Sequence, residues 1–138
     1  MNLPDRYKWL LNEPGPKMVK EALALYGLRE ISGSKHNETI LQWADTVGIG
    51  ELVNDDEQAW CALFLAYVAV RAQKHIPMTG WNILRALQWK NFGKEVNEAM
   101  LGDVLIFGRN GGGHVGLYIA DDESCYHVLG GNQSNQVN

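Results

Sequence analysis

Cys61, His114 and Asn132 are the side chains of this chain best suited to nucleophilic chemistry. A thiolate attacks a carbonyl carbon, an imidazole takes and returns the proton, and an amide side chain fixes the ring. Cys61 falls at the start of an apolar stretch that reads as a helix. A free thiol has a pKa of about 8.5, so only ~3% is thiolate at pH 7. Bringing that value to 7 takes about 2 kcal/mol. A helix N-terminus supplies typically about 0.3–1 kcal/mol, so a nearby imidazolium has to supply the rest. The plainer reading of Cys61 is a buried small hydrophobe.

His114 is the best partner. It opens a strand directly after Gly111-Gly112-Gly113, three residues that leave the backbone open on one side, and an imidazole at a strand edge beside a groove can act as general base. The plainer reading is a surface histidine. A third group should orient the ring, and His127, Asn132 and Gln133 are the candidates. If Asp122 to Ser124 form a three-residue hairpin loop, His114 faces Asn132 and both point to one side of the sheet. His127 then opposes Ile119 and points to the other side. A two-residue loop sets His127 against Tyr118, about 13 Å from His114 along the strand. Asn132 is thereby favoured, with a bulge as the way back for His127 and a plain turn residue as the alternative for Asn132.

Other reactive or aromatic residues have simpler readings. Trp60 and Trp81 precede helical segments near Cys61 and are candidates to flank a groove, with core packing as the alternative. Trp9, Trp43 and Trp89 read as core, His36 and His75 as solvent-facing or capping, and Cys125 as a packed strand thiol. Cys61 and Cys125 show no CxxC spacing, so no structural zinc site is expected.

The elements that must position these residues follow from hydrophobic period. Pro16 opens a helix carrying Val19, Ala22, Leu23 and Tyr26 and ending at Gly27. Asn37 caps a second, with Ile40, Leu41, Ala44 and Val47 as its stripe and Gly48 or Gly50 as its end. The stretch between, Ile31 to His36, is a loop by composition. A third helix opens near Asp55-Asp56 and runs from about Ala59 to Gln73. It is apolar on nearly all sides and therefore central. A fourth is expected over Trp81–Trp89, with Leu84 and Leu87 as core contacts. The period then changes to two over Asp103–Phe107, His114–Ala120 and Cys125–Leu129, and the last two strands form a hairpin. Helices followed by sequential strands predict an α+β domain with an antiparallel sheet.

The chain has 138 residues, the length of one domain (1–138). It divides into an N-terminal helical part, 1–58, and a helix-plus-sheet part, 59–138. Lys and Arg number 12 against 16 Asp and Glu, a net charge of −4, which argues against a nucleic-acid partner. Ala59–Val70 is far shorter than the ~20 residues of a membrane span, so no membrane insertion is expected. Met1 to Lys8 holds no apolar signal core. Synthesis in the cytoplasm is expected, with any action on the cell wall or periplasm following holin release, virion delivery or secretion.

Ala59-Trp60-Cys61-Ala62-Leu63-Phe64 resembles the nucleophile helix of CHAP and NlpC-type cysteine peptidoglycan hydrolases. Gly102–Phe107 and Gly113-His114-Val115-Gly116-Leu117-Tyr118 resemble their next two motifs in the same order. Leu129-Gly130-Gly131-Asn132-Gln133 is similar to the last motif of a CHAP-like subgroup common in bacteriophage lysins. Gly27–Ile31, His36-Asn37 and Trp81–Gly93 are similar to that subgroup as well, so the resemblance spans nearly the whole chain. It implies a papain-like fold with the nucleophile on a buried helix packed against the sheet. Cys61 carries over as nucleophile, His114 as base and Asn132 as the orienting residue. Gln58 stands near the position of an oxyanion-hole glutamine, three residues before the cysteine rather than several, and joins Trp60 and Trp81 as substrate-binding residues. Gly130 occupies the place where CHAP proteins often carry an acidic residue, His127 lies near the third histidine of NlpC-type enzymes, and the subgroup continues into another strand beyond this motif.

The implied function is hydrolysis of an amide or peptide bond of bacterial peptidoglycan through a Cys-His-Asn thioester mechanism, without metal or cofactor. An endolysin or tail-associated lysin is the first setting, with other phage virion or lysis proteins as partners. The alternatives are a non-catalytic structural or wall-binding module of a phage tail and a secreted antibacterial amidase effector.

Overall fold

The elements grow from one aromatic and aliphatic core that runs from Leu3 to Leu129. The computed structural model describes residues 3–27, 38–50, 60–109 and 112–131. A 3-10 segment, Asp5–Asn12, precedes helix α1, Lys17–Leu23. Pro16 stands immediately before α1, where its missing N–H costs no helical hydrogen bond. Helix α2, Glu38–Val47, ends at Gly48, whose φ of 96° is open to glycine at little cost. The Asn37 cap and the Asp55-Asp56 helix start lie outside the described residues.

Helix α3, Cys61–Arg71, is buried along nearly its whole length, as an all-round apolar helix must be. It packs against α1, α2 and the sheet. The Trp43 ring of α2 lies 6.1 Å from that of Trp60, 5.8 Å from Phe64 and 5.3 Å from Tyr67. Aromatic pairs at such separations add about 0.5–1.5 kcal/mol beyond the area they bury. This group fixes the start of α3 in the core.

The sheet is antiparallel in the order β1-β2-β3: β1 is Val104–Arg109, β2 Gly112–Asp121 and β3 Tyr126–Leu129. The mixed α+β expectation therefore holds. Val115, Leu117 and Ile119 of β2 are buried, and by alternation His114, Gly116 and Tyr118 share the other face. Gly102, just before β1, has φ of 88°, and a Cβ there would meet Pro16 at 2.7 Å, so both backbone and packing select glycine.

Three expectations are corrected. Trp81–Trp89 is not one helix but two 3-10 segments, Gly80–Leu84 and Ala86–Asn91, parted by the extended Arg85. Ile83 and Trp89 fill the core from these segments. Leu84 is half-buried and Leu87 is exposed. Trp89 is held by its indole N–H donating to the Ile83 carbonyl at 2.9 Å, a bond that follows the 3-10 course of the chain. Trp9 is not core but 43% exposed, whereas Trp43 and Trp89 are buried as expected. The third correction concerns the hairpin: Asp121 pairs with Tyr126, so the loop has four residues, Asp122 to Cys125.

Trp43→Ala should lower the unfolding free energy by about 3–5 kcal/mol, and Trp9→Ala should move it by no more than about 0.5 kcal/mol. Urea-denaturation midpoints of the two variants check both.

Candidate functional site

Cys61 is the first residue of α3 and is buried at 4% exposure. Trp60 flanks it on the N-terminal side, and the Trp60 carbonyl accepts the first helical hydrogen bond, from Phe64 N–H at 2.9 Å. The thiol thus sits where free N–H groups of the first turn gather. Those same donors are suited to an oxyanion developing on a substrate carbonyl.

His114 is half-buried in β2, directly across from Phe107 of β1, and the two rings stack at 6.3 Å with 22° between their planes. Stacking on Phe107 restrains the imidazole. The backbone beside it is not open at Gly113, as the sequence led one to expect. A Cβ there would lie 2.7 Å from the Phe107 carbonyl oxygen and 2.8 Å from Leu87.

Gly131 brings the chain leaving β3 onto the start of α3. Leu117 pairs with Leu129 and Tyr118 with Val128. β3 ends at Leu129, and the next residue, Gly130, passes Gly116, with its Cα 3.7 Å from where a Cβ on Gly116 would stand. A Cβ on Gly131 would lie 2.5 Å from Phe64 Cβ and 2.9 Å from the Trp60 ring. The first turn of α3 therefore lies against the chain leaving β3. Asn132, Gln133 and Gln58 lie outside the described residues, as does His36. His75 is exposed, in keeping with its reading as solvent-facing.

Two residues do not occupy the places expected of them. Trp60, at 1% exposure, is a core side chain and offers no surface to a substrate, whereas Trp81, at 51%, does. His127 pairs with Ala120, six residues from His114 and roughly 20 Å away along the strand. It is not the group that orients His114. The register reaches this result by two compensating departures from the simple hairpin. The loop is one residue longer than expected, and Ile119 forms a bulge between the Tyr118 and Ala120 pairs that takes up the difference.

His127 instead belongs to a polar group at the turn end of the hairpin. Its Nδ1 is 2.7 Å from the Tyr7 hydroxyl, and its Nε2 is 2.7 Å from Asp122 Oδ2. Asp122 Oδ1 also accepts from the backbone N–H groups of Ser124 (2.9 Å) and Cys125 (3.1 Å). These bonds, the one with His127 foremost, hold the Asp122 carboxyl far below its ordinary value. Cys125 is exposed in this turn, not packed in a strand, and its Sγ is 3.6 Å from both carboxylate oxygens. Desolvation and then the Asp122 charge raise its pKa. A cavity of about 240 Å³ adjoins this group, lined by Leu3, Leu10, Leu23, Tyr26 and Leu129 with Tyr7 and His127. The sequence signal for this assembly is the close spacing Asp122-x-x-Cys125-x-His127 across a tight turn. Tyr7 had no sequence signal, because its contact spans 120 positions.

No family model, curated protein or solved structure matches the chain. Among the described residues no helix is long and apolar enough to cross a membrane.

Gly131→Ala should destabilise by about 1–3 kcal/mol through overpacking against Phe64 and Trp60, read as a lowered urea midpoint. Asp122 makes a second prediction. Its folded pKa lies below its unfolded one, so its stabilisation is complete above about pH 4 and is lost as the pH falls through the folded value. Asp122→Asn should lower Tm near neutral pH, and the gap to wild type should close on acidification. Thermal unfolding across pH checks this.

Proposed function

We propose that the chain hydrolyses an amide or peptide bond of bacterial peptidoglycan, with Cys61 as nucleophile on a papain-like arrangement of helix and sheet. The observation that supports this reading is that Cys61 opens α3 beside the N–H groups of its first turn, while His114 stands in β2 of the sheet on which α3 packs. The motif resemblance to CHAP and NlpC-type hydrolases supplies the substrate class. A phage endolysin or tail-associated lysin is its setting, and a secreted antibacterial amidase would use the same chemistry.

In this mechanism His114 removes the Cys61 thiol proton and the thiolate adds to the carbonyl carbon. Backbone N–H groups at the start of α3 hold the oxyanion. The protonated imidazole then donates to the departing amine, leaving a thioester on Cys61. Water, deprotonated by His114, releases the acyl group. Asn132 orients the His114 ring. Trp81 provides exposed aromatic surface for the glycan or stem peptide. The net charge of −4 gives no electrostatic pull toward an anionic wall, so recognition rests on such contacts.

The burial of Cys61 favours a second reading, a non-catalytic module on the same architecture. Iodoacetamide labelling separates the two. A hydrolase gives rapid alkylation at Cys61 that persists well below pH 8, and a structural thiol gives slow alkylation that rises only toward pH 8.5.

Purified murein should be cleared by the wild type and not by Cys61→Ala. His114→Ala should slow clearance by about 10²–10⁴-fold. Equal clearance by wild type and Cys61→Ala would refute the proposal, and mass spectrometry of the digested murein identifies the bond cut.

A further inference from the structure

We infer that the turn end of the hairpin is a divalent-metal site, with Asp122, Cys125 and His127 as ligands and Zn²⁺ as the cation class it fits. This site is separate from Cys61 and independent of the hydrolase reading.

A carboxylate oxygen, a thiol sulfur and an imidazole nitrogen converge here, all within 4.8 Å of one another. Mixed sulfur, nitrogen and oxygen donors suit a borderline cation, not Ca²⁺ or Mg²⁺. Zinc at about 2.3 Å from sulfur and 2.0–2.2 Å from nitrogen and oxygen keeps tetrahedral neighbours about 3.4–3.6 Å apart. The Cys125 Sγ to Asp122 distances are both 3.6 Å, already at that spacing. The His127 Nε2 to Asp122 Oδ2 distance is 2.7 Å, a hydrogen bond that opens by less than 1 Å to admit the ion.

A second element supports the same assignment. Metal-bound histidines are commonly held through the nitrogen that does not bind the ion. Tyr7, from the 3-10 segment Asp5–Asn12, meets His127 at Nδ1, leaving Nε2 directed at Asp122, with Cys125 Sγ within the same 4.8 Å group. The three ligands supply three positions of a tetrahedron, and the fourth is left for water or an exogenous ligand, the pattern of an open site.

The proton balance is definite. Cys125 gives up its S–H proton to solvent as the Zn–S bond forms. A neutral His127 moves its proton from Nε2 to Nδ1, and the Tyr7 oxygen becomes the acceptor. A protonated His127 releases one further proton. Asp122 enters already ionised. No oxidant or reductant is involved.

The full chain, stripped with a chelator, is titrated with Co²⁺ and separately with Zn²⁺. The expected result is one Co²⁺ per chain with a thiolate-to-cobalt charge-transfer band in the near ultraviolet, displaced by one equivalent of Zn²⁺. Cys125→Ser should abolish the band and weaken Zn²⁺ binding at least tenfold, and Cys61→Ser should keep both. Tyr7→Phe should weaken Zn²⁺ binding by about 10–100-fold. Circular dichroism of the metal-free variants verifies folding, and if Cys125→Ser does not fold, the wild-type band together with Asp122→Asn decides. The absence of stoichiometric binding, a cobalt spectrum without the thiolate band, or a band lost in Cys61→Ser but kept in Cys125→Ser overturns the inference.

Discussion

The close approach of Gly131 to Phe64 and Trp60 is the constraint on which the arrangement depends. Only a residue without a Cβ lets the chain leaving β3 press this near to the first turn of α3. The aromatic group of Trp43, Trp60, Phe64 and Tyr67 holds the helix from the other side. The helix start is thus clamped between α2 and the end of the sheet, and Cys61 shares whatever rigidity that clamp has.

Much of the scaffold could be read from the sequence because its signals are local. The apolar character of α3 on every side foretold burial, and the period-two pattern Val115, Leu117, Ile119 foretold the inner face of β2. Gly27 and Gly48 marked the ends of the first two helical stretches and do carry positive φ. Trp81–Trp89 was harder. Its spacing suits an α-helix, but the chain turns more tightly and breaks at Arg85, and tertiary contacts of Ile83 and Trp89 decide that outcome. Trp9 shows the same limit: an indole's hydrophobicity does not say which neighbours will be present to cover it.

For the candidate site, the sequence indicated the elements that carry Cys61 and His114 but not their surroundings. The order of cysteine and histidine, and the helix and strand that carry them, follow from pattern alone. The surroundings of His114 do not, since Leu87 and Phe107 approach Gly113 from segments far off in sequence or across the sheet. The assembly around His127 was hidden for the same reason. Its turn residues lie together in the chain, but the hydroxyl that holds the ring comes from the far N-terminal side.

The extra residue at Ile119 means that the two ends of this hairpin keep separate phase. In a regular ladder, inserting one residue in the turn would carry every later side chain of β3 to the opposite surface. A bulge absorbs such a change before it reaches Val128 and Leu129. The turn that bears Asp122, Cys125 and His127 is therefore one residue out of step with the pairs that seat Val128 and Leu129, and the bulge keeps that offset from reaching the buried Leu129.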